Sequence, residues 1–229
     1  MKQSKILLLV VVFCAIFSNC LASDVAEVVN SKHIITAQNK IDEIGFRILN
    51  SNYIQKRTVF DLDIKRYKNA NSNLKNRQIT VYRTLFERMQ TDDEIAFVLA
   101  HEIAHSVESY DGIFRGFFHF LSYAFAPRKY EYKADKHALD YMVKAGYNPL
   151  ASIVVLSKIS PQTRYEWCHN HPLTTKRMMA LYEYIYQKYP EYLVNNKYKD
   201  NMFYQNFLLN SIEARKKFQN KVITNRGGL

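Results

Sequence analysis

The chain has 229 residues, 48% hydrophobic and 23% charged, ordinary globular proportions that exclude wholesale disorder and suffice for one domain with a real core. Only 6 Gly and 5 Pro argue against a turn-rich all-β fold and for long helices. The net charge is +11, falling by two when Lys2 and Lys5 are set aside, and such a balance suits nucleic acid or an anionic membrane surface.

The first residues decide between those partners. Lys2 and Lys5 precede an apolar run from Ile6 to Phe17, and Cys20-Leu21-Ala22 places small residues where a signal peptidase reads. Residues 1–22 are therefore expected to be an export signal cleaved after Ala22. Two other fates stay open: a retained N-terminal anchor, for which the run is short, and lipidation at Cys20, which Asn19 and Phe17 suit poorly. An exported protein rarely meets nucleic acid, so none is expected as partner; the anionic membrane surface is. Periplasm or cell envelope is the expected location. Cys168 stands alone after the signal and reads as core filler.

Residues 23–190 are expected to form one domain, mainly α with a small antiparallel β element. Val28, Val29, Ile34, Ile41, Ile44 and Ile48 recur at helical period, predicting one amphipathic helix over Val25–Leu49. Alternation predicts strands at Thr58–Ile64 and Gln78–Tyr82, with Ile79 and Val81 on one face and a polar loop over Asn69–Asn76 between them. Thr91-Asp-Asp-Glu94 is a capping box, in which Thr91 bonds the Glu94 amide and Glu94 reaches back. It opens a helix carrying Ile95, Val98, Leu99 and Ile103. Further helices are expected over Arg128–Ala145, closed by Gly146 and Pro149, over Pro149–Ile159 and over Thr174–Tyr189. Residues 191–229 form a basic, Tyr-rich, helical C-terminal segment that reads either as a core element or as an appendage.

The chemistry centres on His101-Glu102-Ile103-Ala104-His105. On a helix, positions i and i+4 share a face, so both imidazoles can reach one metal ion. Zinc suits neutral imidazole, and a catalytic zinc takes three protein ligands and keeps one position open. Glu102 follows the first ligand and can lie beside a metal-bound water without occupying the metal. The rival reading is a pair of buried histidines satisfied by hydrogen bonds. The search for a third ligand ends at Glu131-Tyr-Lys-Ala-Asp135, on the next strong helix. Asp135, one turn beyond Glu131, can accept from the far nitrogen of a ligand histidine. Ala134 and Ala138 would let the two helices approach closely. Taken alone, Glu131 and Asp135 also read as a surface charge pair that Lys133 and Lys136 solvate.

The ordered series His-Glu-x-x-His, Glu-x-x-Ala-Asp, then His171-Pro172 followed by Arg177, resembles gluzincin metallopeptidases of the HtpX and CAAX-prenyl-endopeptidase family. Ile79-Thr-Val-Tyr is similar to that family's edge strand, Asp93 to His101 to its active-site helix, and Ala145-Gly-Tyr-Asn-Pro149 to the turn after its third-ligand helix. The resemblance implies a zincin-like fold and a zinc endopeptidase holding one Zn2+ through His101, His105 and Glu131. It further implies Glu102 as general base and Asp135 as partner of a ligand imidazole. His171 and Arg177 would border the cleft, with His171 donating to the oxyanion or capping the metal in a latent form; neighbouring His169 competes for that place. Ile79 and Val81 would line the cleft, where the edge strand pairs with an extended substrate. Arg83-Thr-Leu-Phe86 and Leu74-Lys-Asn-Arg77 depart from the family pattern. The size resembles the compact periplasmic branch, whose members act on misfolded or envelope proteins. Ile113 to Phe125 is too short and polar to span a membrane; it reads as core or as a hydrophobic lid. An exported chaperone-like or binding protein with a weakly active metallopeptidase fold is the alternative, and Glu102 argues against it because metal binding alone does not need that residue.

Overall fold

The computed structural model describes residues 31–55, 57–64, 70–73, 78–114, 127–159 and 174–226. The expectations for the export signal, for Cys168, His169 and His171, and for residues 115–125 of the Phe-rich segment lie outside them. The chain divides into two compact units, Met1–Lys40 and Ile41–Leu229. In the first, residues 31–40 are helical. All that follows concerns the second.

Helix α1 (residues 41–51) buries Ile41, Ile44 and Ile48, three positions of the predicted apolar stripe. Gly45 lies on the same helix for a steric reason. A Cβ there would come within 2.5 Å of the Phe60 ring, which packs edge-on against Phe46 at 5.5 Å between centroids.

Three strands form one sheet, in the order β1 (Val59–Asp63), β3 (Gln78–Tyr82), β2 (Ala70–Asn73). β2 and β3 pair antiparallel, with Ala70 opposite Val81, while β1 joins β3 in parallel, with Phe60 opposite Ile79. The small β element is present, but it is mixed rather than purely antiparallel. Three expectations change with it. The Asn-rich stretch predicted as loop supplies strand β2 at residues 70–73, because β3 offers it a backbone ladder that side-chain propensity does not register. β3 is the central strand rather than an edge. Ile79 and Val81 do not line a cleft: they are 1% and 2% exposed and, with Phe60 and Leu62, form the core face of the sheet.

After the short helix α2 (Arg83–Phe86), α3 (Asp92–Phe114) starts at the predicted cap. Thr91 Oγ accepts from the Glu94 amide at 3.3 Å. The reciprocal bond lands one residue earlier than a capping box requires, because Glu94 accepts from the Gln90 amide at 3.0 Å. The same carboxylate oxygen takes Lys158 Nζ at 2.7 Å, and both side chains are buried. A cap thereby doubles as a tie between α3 and the later helix α5 (Ala151–Ile159).

α4 (Pro127–Lys144) lies against α3 with Ala134 and Ala138 fully buried, the close approach that small side chains permit. Its end is a Schellman turn: the Gly146 amide donates to Val143 O at 3.0 Å and the Tyr147 amide to Met142 O at 2.9 Å, with Gly146 at φ +81°, where a Cβ would be strained. α5 is buried over Ala151–Leu156. α6 (Thr174–Lys188) packs through Met178, Leu181, Tyr182 and Ile185.

The C-terminal segment belongs to this core. Following α7 (Glu191–Val194), α8 (Met202–Asn210) is capped by Asn201, which accepts from the Phe203 and Tyr204 amides, and α9 (Ile212–Arg226) is the last helix among the described residues. Tyr198, Tyr204, Phe207 and Phe218 are buried. Asp93, in the first turn of α3, accepts from Lys197 at 2.7 Å and Tyr198 at 3.1 Å, and from the Asn148 amide at 3.0 Å.

Candidate metal centre

Helix α3 delivers the first two side chains. His101 and His105, one turn apart, set their rings nearly perpendicular with centroids 4.6 Å apart, and their Nε2 atoms face one another at 3.1 Å. Either Nε2 can donate to the other when its ring carries the proton there, and with both rings protonated on Nδ1 instead the two lone pairs face one point that a cation can fill. Both side chains are largely buried, at 13% and 12% exposure.

α4 brings the third. Glu131 places Oε1 3.3 Å from His105 Nε2 and Oε2 3.5 Å from His101 Nε2. One turn on, the buried Asp135 sets Oδ1 3.0 Å from His101 Nδ1, the far nitrogen of that ring. It is a charge contact without in-line hydrogen-bond geometry, since His101 Nδ1 counts among the buried atoms lacking a well-directed partner, as does His105 Nδ1. The surface-pair reading of Glu131 and Asp135 therefore fails, because the close α3–α4 packing turns both carboxylates inward.

α6 contributes Arg177. Its Nε and Nη2 donate to the two oxygens of Asp135 at 2.8 and 2.6 Å, and Nη1 lies 3.1 Å from Glu131 Oε2. These neighbours set the protonation of the cluster. Burial alone would lower the pKa of His101, but its contacts with Asp135 and Glu131 outweigh that and push it up to about 9. Burial would raise Glu131, yet His101, His105 and Arg177 hold it far below the usual carboxylate range. Asp135 is likewise lowered against its burial, chiefly by Arg177.

The donor set fits zinc. His101, His105 and Glu131 offer two imidazole nitrogens and a carboxylate oxygen converging on one point, a composition that zinc favours. The spacing agrees as well. Ligand atoms about 2.0–2.1 Å from a tetrahedral ion stand about 3.3–3.4 Å from one another; the two Nε2 atoms here are 3.1 Å apart, and each has a Glu131 oxygen beside it, Oε1 3.3 Å from His105 and Oε2 3.5 Å from His101.

Of the residues singled out from sequence, His101, His105, Glu131, Asp135 and Arg177 come together, and Glu102 sits on the same turn of α3, partly exposed. Arg177 is more than a cleft residue: it grips both carboxylates. Sequence reasoning missed that grip, and it missed the tie of Glu94 to Lys158. The only available signals were a lone arginine in the first turns of α6 and a lone lysine at the end of an apolar helix.

Two overlapping stretches, residues 36–118 and 112–185, match peptidase family M48, and no curated protein matches the chain significantly. The first stretch holds both histidines and Glu102, the second Glu131, Asp135 and Arg177, so the match covers every described side chain of the cluster. By that match, which spans well over half its length, the chain belongs to peptidase family M48, a family of zinc-dependent metallopeptidases.

Proposed function

We propose that this metallopeptidase is a zinc endopeptidase of the compact periplasmic branch resembling HtpX, cleaving unfolded or envelope proteins. The convergence of His101 Nε2, His105 Nε2 and the two Glu131 carboxylate oxygens, with contacts of 3.1–3.5 Å, carries the reading, with those three residues as the ligands. Zinc bound there would polarise the peptide carbonyl and acidify a water toward a pKa of about 7. Glu102 then takes the proton of the attacking water and hands it to the leaving amine. Asp135 holds the His101 ring by its far nitrogen. His171, outside the described residues, is assigned the oxyanion, where one lost donor costs about 3–4 kcal/mol.

With β3 central, strand pairing passes to β2, an outer strand of the described sheet that lies beside α3. An extended peptide added there reads mostly backbone, which suits unfolded protein over a fixed sequence. The signal-like residues 1–22 support export, and the basic charge supports contact with an anionic membrane surface. Among the described residues no helix is long and apolar enough to cross a membrane.

The test pairs metal content with catalysis. Purified protein is expected to carry one zinc per chain, falling well below that in His105→Ala and Glu131→Ala. Glu102→Gln should keep its zinc and its melting temperature while losing about 100-fold or more of casein cleavage. Undiminished cleavage in that variant removes Glu102 as the base. Full zinc in Glu131→Ala removes the third ligand. A zinc-loaded protein that cleaves nothing is a binding protein instead.

A further inference from the structure

We propose that Arg177 is a positioning residue of the metal centre: its guanidinium fixes Asp135 against His101 and holds Oε2 of Glu131, so that both carboxylates are set toward the histidines. The inference rests on the metal-site reading above.

All three guanidinium nitrogens are used. Nε takes Asp135 Oδ2 at 2.8 Å and Nη2 takes Oδ1 at 2.6 Å, a fork that leaves the carboxylate no freedom to rotate. Oδ1 is also the oxygen 3.0 Å from His101 Nδ1, so the fork sets which way that ring points. Nη1 stands 3.1 Å from Glu131 Oε2, while Oε1 lies 3.3 Å from His105 Nε2. The guanidinium therefore holds the Glu131 oxygen that lies 3.5 Å from His101 Nε2 and leaves Oε1 to His105. It is also what allows two carboxylates one turn apart, 12% and 2% exposed, to stay ionised in the same enclosed place.

Two roles can be told apart by sign. A positive charge 3.1 Å from a ligand oxygen repels an incoming cation, so an arginine serving only as a helix–helix brace would, if anything, weaken metal binding. A positioning arginine strengthens it. Lysine keeps the charge but lacks the planar fork, so Arg177→Lys isolates geometry from charge.

The experiment measures zinc affinity, by competition with a chromophoric chelator, in the full chain and in Arg177→Lys, Asp135→Asn and the double variant. Thermal melting of the metal-stripped forms runs alongside. Arg177→Lys is expected to bind zinc about 10–100-fold more weakly, the range for losing a partner of a ligand, while remaining folded. Because Arg177 acts largely through Asp135, the double variant should bind within about twofold of the weaker single one. Wild-type affinity in Arg177→Lys, or losses that multiply in the double variant, would overturn the proposal. Arg177→Gln is made in parallel; if neither it nor Arg177→Lys folds with zinc present, Arg177 is a structural brace and the proposal falls. A wild-type chain that binds no zinc defeats the metal-site reading itself, which separates that failure from this one.

Discussion

His101 is asked to be two things, a cation among carboxylates and a neutral ligand. Before metal arrives, Asp135 and Glu131 hold its pKa up at about 9 against the effect of burial, so at neutral pH zinc must displace a proton from it. Zinc affinity is therefore expected to rise with pH by about tenfold per unit between roughly pH 7 and 9. Isothermal titration in two buffers of different ionisation heat would detect the released proton; a flat affinity would contradict the exchange. The metal-stripped protein should show the matching stability. The raised His101 contributes in full below its ordinary value of 6.5, and that contribution is lost as pH rises through about 9. Lowered Glu131 contributes above its ordinary 4.5 and loses this as pH falls. For these two groups the stripped protein is most stable between those values, which a series of melting curves at fixed ionic strength would locate. At this scale much was readable in the sequence, since the four-residue histidine spacing needs only a helix to become a pair of ligands. What Arg177 holds was not readable, because no local rule links a residue on α6 to one on α4 42 positions away.

Elements succeed or fail by how close their backbones can come. At Gly45 the Phe60 ring occupies the place of a side chain, with a Cβ destined to lie 2.5–2.8 Å from its atoms. Gly45→Ala is expected to cost about 1–3 kcal/mol, the range for overpacking, although alanine is intrinsically the better helix former. Urea unfolding would measure it, and a stabilised variant would show that the ring simply moves aside. Periodicity and end signals located α4, α5 and α6 nearly to their ends and α3 at its start, while the end of α3, which carries no stop signal, was not located. Periodicity failed at β2. Ala70-Asn-Ser-Asn73 carries no alternation, and its strand is imposed by a neighbour rather than encoded locally. The same failure misplaced β3 at an edge, since strand order is a tertiary property that a lone alternating segment does not reveal.

At the scale of the whole molecule, the C-terminal segment settles as core rather than appendage. Tyr204 and Phe207 are 1% and 2% exposed, and Asp93 takes two of its bonds from Lys197 and Tyr198. Removing residues 191–229 should strip cover from α5 and α6 and leave Asp93 short of partners, so the truncated chain is expected to lose cooperative melting and soluble yield. A truncated form with a sharp transition and full zinc would return the segment to the status of an appendage. Composition announced helices there but not their destination, because tyrosines suit a buried face and a wet surface equally.

The reach from Asp93 to Tyr198, 105 residues, also carries a consequence in time. A ribosome adding roughly 5–20 residues per second takes on the order of 5–20 s to make that stretch. Through that interval both histidines have been made, Glu131 and Arg177 follow in turn, and the start of α3 still lacks its last clasp. A nascent chain therefore passes through a period in which every metal-facing side chain exists while Asp93, at the start of the helix presenting two of them, still lacks its bonds from Lys197 and Tyr198.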